Sequence, residues 1–578
     1  MISKLRAIYH SHYNFILLLS LFITFRAFIL LAYRPGGHIL DFSDYYFYQE
    51  FAQMDRQGYV PYKTLWTTYP PLFPTLMINM WRLSNLLPPW EFHHLWFRLM
   101  FGGTLLIFET GNFILIYLIS LKLYPSQKHH DASLKVVGIY ACLFVPVYTL
   151  TGWFESYPLF FYLLSLYLLI QRRPYLSAFF SGVGFMVKLI PLLLIPLGVR
   201  VMPIKSTWAR LKIKWLNLDI DLWEVAKYAT VFIITVTAIG YPFYKLNPDL
   251  ILSPFRMTGF RLPWETVWAL LEGNYDYGII PLDMRNLTWP PPEMPQSTLP
   301  WLWITVGFTF IYTFLYTRHI KWQQPHVMVA FAGLTYCMFL LYSKGYSPQW
   351  LIWLLVFSSI LLPNMRGVMY AIILSTTNII ESNIFFIIFP DEHWLLATTI
   401  LIRTGLIIIL ALEFSLIIYP HLHTETVIRF RRNALIVILT ILIVGVFPAT
   451  NRLYHTYVDS RLEQSPYHHS ITWLSEQPVK EAILLNDHTT YNWYYPYLRN
   501  THAFFMLDDY SDANNNVTLK TELLLTNIAQ NHKAVWIFDS DPAITTNAES
   551  AMHVWLANSQ LAHQADIDEG RLYLFILQ

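Results

Sequence analysis

LDFSDYYFYQEFAQMDRQGYVPYKTLWTTYPPLFP, residues 40–74, follows the first long apolar run of the chain and decides how the rest is read. Asp41 and Asp44 fall a few residues beyond the point where a helix beginning near residue 13 would leave a bilayer. A short amphipathic piece comes next (Tyr45, Tyr46, Tyr48, Phe51, Ala52, Met54), then Gly58, Pro61 and the turn Tyr69-Pro70-Pro71. Carboxylates among aromatic rings at a membrane exit predict a site that faces lipid and water together. Three readings of the acids are open. Asp just before an amphipathic helix is a common N-cap. A pair of acids can hold a divalent ion such as Mg or Mn. A carboxylate can also take a proton from an acceptor hydroxyl while a leaving group departs.

Outward from this stretch the composition is that of a polytopic membrane protein. Of 578 residues 55% are hydrophobic and only 13% charged, about half the charged share of an ordinary soluble domain. The 21 Trp and 38 Tyr suit rings gathered at bilayer interfaces. A net charge of +2 gives no reason to expect nucleic acid as a partner. Cys142 and Cys337 both lie inside apolar runs and read as core, not as a disulfide or metal site. Residues 13–33 are long enough to span, so the N-terminal run reads as an uncleaved first helix.

A spanning helix needs ~20 apolar residues. Candidates lie at about 13–34, 98–121, 134–152, 156–171, 223–241, 299–318, 326–342, 349–363, 367–388, 394–419 and 432–448. Two stretches, 69–97 and 174–200, keep the alternation only if each returns to its own side. Residues 174–200 are expected to fold back at Lys188–Pro191, where proline breaks the ladder. The total is about 11–13 segments. Lys and Arg mark the inner loops: Arg172 and Arg173, the cluster from Arg200 to Lys214, Arg318 with Lys321, Arg366, and Arg429 to Arg432. The outer segments are then 35–68, 152–156, 242–298, 343–349, 390–393 and everything after 448, and every motif-like residue falls on that side. After Thr456 strand-like runs (471–474, 482–486, 503–507, 535–539, 572–577) alternate with helical ones (517–531, 547–559). A mainly α transmembrane domain, 1–450, is therefore expected to carry a small outer α/β domain, 456–578. Acids in that domain (Asp508, Asp509, Asp512, Asp539, Asp541) read as solvated loops.

Other residues carry chemistry. Lys188 stands in GVGFMVKLIPLLLIP, where an intramembrane cation is costly and functional by default; snorkelling to the interface is its plainer reading. Arg26 with Glu109, and Glu381 with Arg403, are expected as internal pairs. Gln349 and Trp350, in Lys344–Trp350, could hydrogen-bond and stack on a sugar, or simply form part of an aromatic belt. The loop 242–298 holds Trp264, Glu265, Trp268, Glu272 and Trp289, acidic and aromatic content that favours a polar ring compound. The adjacent His93 and His94 lack a third ligand nearby, so no zinc site is assigned.

Three motifs together resemble the GT-C superfamily of polyprenyl-phosphate-sugar-dependent glycosyltransferases, closest to its bacterial mannosyltransferase-like and arabinofuranosyltransferase-like branches. The first is Asp44 to Tyr48, Gly58, Pro61-Tyr62 and Tyr69-Pro70-Pro71-Leu72, similar to D-x-x-x-Y, G-x-x-PY and YPPL. The second is Lys188-Leu-Ile-Pro191-Leu-Leu-Leu-Ile-Pro196 and the third Ser347-Pro348-Gln349-Trp350-Leu351-Ile352-Trp353. The acid that often precedes YPP is Thr68 here, and Lys63-Thr64 stands where an acid follows PY. The resemblance implies inverting transfer of a sugar from a polyprenyl-phosphate donor to a glycan, lipid or protein acceptor, at the outer face of a bacterial inner membrane. It implies Asp44, or less directly Asp41, as the base. Lys188, with Arg403, would hold the lipid phosphate. Tyr48, Tyr69, Glu155, Gln349, Trp350, Trp264 and Glu381 would contact substrate. The rival reading, a transporter or flippase of lipid-linked glycans, would place its site near the midplane between inverted repeats; no internal repeat is visible and the candidate residues gather on one side.

Overall fold

A computed structural model describes residues 11–32, 44–88, 95–125, 130–276, 278, 297–485, 488–506, 519–539, 559–567 and 570–577. The chain divides into two compact units, Met1–Leu439 and Thr440–Gln578. The first is a bundle of apolar helices. All eleven runs expected to span are helical. Among the described residues seven are long and apolar enough to cross a membrane: Tyr13–Ala32, Leu95–Leu123, Leu222–Leu246, Pro325–Tyr342, Met365–Ile388, His393–Ile418 and Glu425–Glu463. The pair Asp131–Cys142 and Phe144–Gly152, bent by 50°, has the form of a broken span or a re-entrant loop; Leu143 at the break is extended (φ −71°, ψ 139°), interrupting the helix. The other three, Ser156–Ile170, Trp301–Tyr316 and Pro348–Leu361, are shorter apolar helices. The seven long helices, the bent pair and the shorter apolar helices together agree with the expected 11–13 segments, though they differ in length. Hydropathy registers apolar length, and cannot separate a helix that crosses from one enclosed by its neighbours.

Both doubtful stretches form short, interrupted helices, residues 89–94 of the first lying outside the described residues. Leu72–Ser84 is a helix of 13 residues, about 20 Å long and short of the ~30 Å core. Its face of Phe73, Met77 and Trp81 packs with Tyr48, Phe97 and Phe101. In 174–200 the helix Pro174–Phe185 stops, Met186–Leu189 turn, and Ile190–Leu194 and Ile195–Val201 follow. Gly184 permits the close approach there: a Cβ on it would lie 2.8 Å from the Phe161 Cβ and 2.9 Å from the Pro191 Cγ.

The loops meet in two groups. Among those expected inside, Arg172 donates to the Gln323 carbonyl at 2.6 Å, and Asn217 donates to the Thr317 carbonyl at 3.1 Å. Arg366 and Arg431 meet on Glu413 at 3.4 and 3.0 Å. The cluster after Arg200 forms an antiparallel hairpin, β1 Arg210–Ile213 and β2 Leu218–Asp221. Among those expected outside, the Asp44 N–H donates to the Gly152 carbonyl at 3.0 Å and the Trp264 N–H to that of Lys344 at 3.1 Å. The expected loop 242–298 begins later, because the helix Leu222–Leu246 runs past residue 241. It carries short helices at Pro248–Ile251, Ser253–Phe260 and Val267–Glu272, and Trp289 lies outside the described residues.

The second unit is α/β. Its strands are β3 Ala482–Leu485, β4 Ala503–Met506, β5 Ala534–Asp539, β6 Gln560–Ile567 and β7 Gly570–Ile576, in the order β4-β3-β5-β7-β6. β3 runs parallel to β4 and β5, and β7 antiparallel to β5 and β6. Residues 471–474, expected as a strand, lie instead in the helix His468–Glu476. Ile471 and Leu474 are buried three residues apart, a helical spacing that a four-residue apolar run cannot reveal. The strand β6 is not among the runs expected from sequence, and residues 547–558 lie outside the described residues, as do Asp508, Asp509, Asp512 and Asp541.

Candidate active site

The site begins at the helix Tyr45–Gln53. Asp44 occupies its N-cap position but makes no cap bond with its side chain, so the capping reading is not what the geometry shows. Its carboxylate accepts instead from the Tyr48 hydroxyl, at 3.2 Å. Burial, with Asp44, Tyr69 and Glu155 adding, pushes the Tyr48 phenol well above its usual pKa, so the hydroxyl keeps its proton and acts as a donor. Tyr45 anchors the helix by donating to the Leu150 carbonyl at 2.5 Å. Asp41 lies outside the described residues.

Tyr69 closes the next wall. Tyr62 donates to the Tyr69 carbonyl. The Tyr69 ring meets Phe73 and Phe154 edge-on, both at 5.0 Å between centroids, and Phe73 stacks on Phe154 at 3.5 Å. The Leu72 N–H donates to the Met186 carbonyl at 3.0 Å, so the proline turn is fastened two residues before Lys188. The Lys188 ammonium is paired with Glu155 and lies 5.2 Å from the ring centroids of both Phe154 and Trp350. The second Glu155 oxygen accepts from the Trp353 indole at 2.8 Å. The first two motifs thus meet at Met186, and the second and third at Glu155. Gln349 is half-buried in the Pro348–Trp350 turn beside them.

A second cluster adjoins the first through Tyr346, whose ring is 6.4 Å from that of Trp350. Arg403 lies over the Tyr346 ring at 3.7 Å, donates to Glu381 and donates to the Glu265 carbonyl. Glu381 projects from a π-turn, Ile380–Phe385, a feature frequent at functional sites. Glu265 adopts φ +52°, and both it and Glu381 are buried, each with one carboxylate oxygen that has no hydrogen-bond partner among the described residues. Tyr148 is within electrostatic reach of Asp44, Glu265 and Glu381 alike. A small cavity lined by Glu265, Thr266, Leu340, Tyr346 and Arg403 opens beside them. Trp264 proves to be a structural wedge: buried, within van der Waals reach of Gly278 and Gly345, it accepts at its carbonyl from the Tyr346 N–H.

The geometry therefore gathers Asp44, Tyr48, Tyr69, Glu155, Lys188, Trp350, Arg403 and Glu381, with Gln349 next to them and Trp264 behind. Phe154, Tyr346, Trp353 and the buried role of Glu265 were missing from the sequence-based set; Trp353 alone carried a signal, as the last residue of the third motif. Among the described residues no three His, Cys, Asp or Glu side chains converge on a common point for a metal, and His93 and His94 fall outside them.

No family model matches the chain, and no curated protein matches it. Two solved structures similar to it are both of the Archaeoglobus fulgidus oligosaccharyltransferase. One, tethered by a disulfide to an acceptor peptide with the NVT sequon, is 10% identical with a TM-score of 0.34, over 99% of this chain and 75% of the other. The other, in complex with Zn and sulfate, is 12% identical with a TM-score of 0.27, over 96% and 72%. Likeness of this size establishes neither a shared fold nor a shared activity.

Proposed function

We propose that the chain is a membrane glycosyltransferase of the GT-C type that transfers a sugar from a polyprenyl-phosphate donor to an extracytoplasmic acceptor. The observation that carries this reading is the convergence of three distant stretches, around Asp44, Lys188 and Trp350, on one aromatic-walled site. In this reading Asp44 takes the proton of the acceptor hydroxyl as its oxygen bonds to the anomeric carbon. The bond from that carbon to the phosphate oxygen breaks, and polyprenyl phosphate leaves with the electron pair. Attack from the face opposite the leaving group inverts the centre. Tyr48 orients the carboxylate. Lys188 spends one of its three N–H donors on Glu155 and keeps two for the departing phosphate, where compensating charge is a large catalytic effect. Arg403 is enclosed by Glu381, Glu265 and Tyr346, and its part is to fix the turn that carries Trp350. Gln349, Trp350 and Tyr69 would then line the sugar. The reading puts the site and the sheet unit outside a bacterial inner membrane, with a mannosyl- or arabinosyl-type donor.

The test is Asp44→Asn, assayed with lipid-linked sugar in the full-length protein. Turnover is expected to fall by about 10²–10⁴ with the melting temperature and donor binding unchanged. Undiminished turnover in a protein that melts normally would remove Asp44 as the base.

A further inference from the structure

Two tryptophans of the β1–β2 hairpin are exposed: Trp208, just before β1 and 6.1 Å from the Trp223 ring, is 79% exposed, and Trp215, in the turn between the strands, 81%. Its place relative to the bilayer follows from the chain itself. Asp221, the last residue of β2, is also the N-cap of the span Leu222–Leu246, accepting from the Trp223 N–H at 3.0 Å. The same carboxylate accepts from the backbone of Lys205 at 2.9 Å and Ser206 at 2.6 Å, tying the lead-in of the hairpin to the first turn of that span. At the other end Arg200 donates to the carbonyls of Asn217, at 3.0 Å, and Tyr316, at 3.3 Å. Tyr316 ends the apolar helix Trp301–Tyr316. The hairpin is thus pinned to the first turn of one candidate span and the last residue of a shorter apolar helix, and exposed indoles at such helix ends suit a membrane interface.

Its charge selects the lipid. Arg210 is engaged by Asp219 at 2.6 Å and Lys205 by Glu224 at 3.3 Å. Lys212 and Lys214 project from the same hairpin and are exposed, as are Arg318 and Lys321 just past the helix it touches. We propose that this hairpin is a docking surface for anionic phospholipid head groups of the adjoining leaflet. Trp208 and Trp215 seat in the interface while the four cations meet phosphate. The proposal is independent of the chemistry assigned to Asp44.

The test titrates the detergent-solubilised full-length protein with short-chain phosphatidylglycerol or phosphatidylcholine and reads the rise in melting temperature as an apparent affinity. The wild type is expected to prefer phosphatidylglycerol. Lys212→Ser with Lys214→Ser should weaken that binding on the order of twenty-five-fold, two cations each contributing a factor of about five, and leave phosphatidylcholine unaffected. Trp208→Ala with Trp215→Ala should weaken both lipids. Lys480→Ser with Lys533→Ser, which removes two exposed cations from the sheet unit, should change neither. Equal affinity for the two lipids, an unaltered lysine variant, or an equal loss in the Lys480 and Lys533 control would each overturn the proposal.

Discussion

Glu265 is the residue whose situation differs most from its outward sign. In sequence it is one acid among several in an aromatic loop. In the fold it is buried, holds a left-handed backbone conformation, and shares Arg403 with Glu381. A non-glycine residue at such φ costs of order 1 kcal/mol or more and persists where its surroundings impose it. Burial first, then the neighbouring Glu381, against the pull of Arg403, raises the Glu265 carboxyl well above its usual range. The sign of the pH effect follows. The unfolded chain ionises this carboxyl near pH ~4.3, whereas the folded chain holds the proton to higher pH. Stability attributable to Glu265 is therefore full in acid and declines as pH rises from ~4 toward the folded value. Glu265→Gln is expected to flatten that slope and to melt no lower than wild type at pH 7. Melting curves between pH 5 and 8 check it, and an unchanged slope refutes it. Lys188 drew notice because a cation is unusual in an apolar run, whereas Asp44 and Trp350, ordinary as an N-cap and an interfacial ring, stood out only through the motifs they belong to. The pairing of Lys188 with Glu155, 33 positions away, was not legible, since no periodicity links them. The Arg26–Glu109 pair, which was expected, is present, with Nε 3.9 Å from the carboxylate.

Elements were legible wherever an apolar run was long, and least so where chain breaks set the geometry. The fold-back near Lys188 was visible because Pro191 cannot continue a helix. The bend at Leu143 also has its proline, since Pro146 cannot donate to the Cys142 carbonyl four residues back, yet the run 134–152 was read as one unbroken span. Trp264 has a packing role that its place in an acidic, aromatic loop did not reveal: it is a wedge between that loop and the 343–350 turn. Gly345 is what admits it: a Cβ at that position would lie 2.0 Å from the Trp264 ring. Gly345→Ala is expected to displace the indole and cost about 1–3 kcal/mol, the usual toll of overpacking. Because the Tyr346 N–H bonds the Trp264 carbonyl and the Tyr346 ring covers Arg403, sugar transfer should fall as well. Trp264→Ala in the same chain should restore part of the stability by vacating the space. If Gly345→Ala melts and turns over like wild type, the wedge does not hold the turn.

At the scale of the molecule the change of composition after residue 456 pointed to a second unit, and the fold divides between Leu439 and Thr440. The boundary falls inside the helix Glu425–Glu463, which is why sequence could place it only through the strands that follow. The sheet unit has the means to fold alone. One face of its sheet packs Ile483, Leu485, Trp536 and Phe538 with Ile471, Leu474 and Tyr494. The other packs Leu484, Val535 and Ile537 with Leu525 and Ile528. Leu462 joins the first of these cores, so a fragment must begin before it. A chain of about 120 residues buries enough surface for an independent core. Residues 456–578 expressed alone are therefore expected to be soluble and monomeric, with mixed α/β circular dichroism and a single cooperative unfolding transition. Trp536→Ala should lower the midpoint of that transition, at about 3–5 kcal/mol for a buried aromatic truncated in a core. A fragment that aggregates, or that unfolds without cooperativity, would mean that the sheet depends on the helical unit for its stability, and the two would then have to be treated as one folding domain.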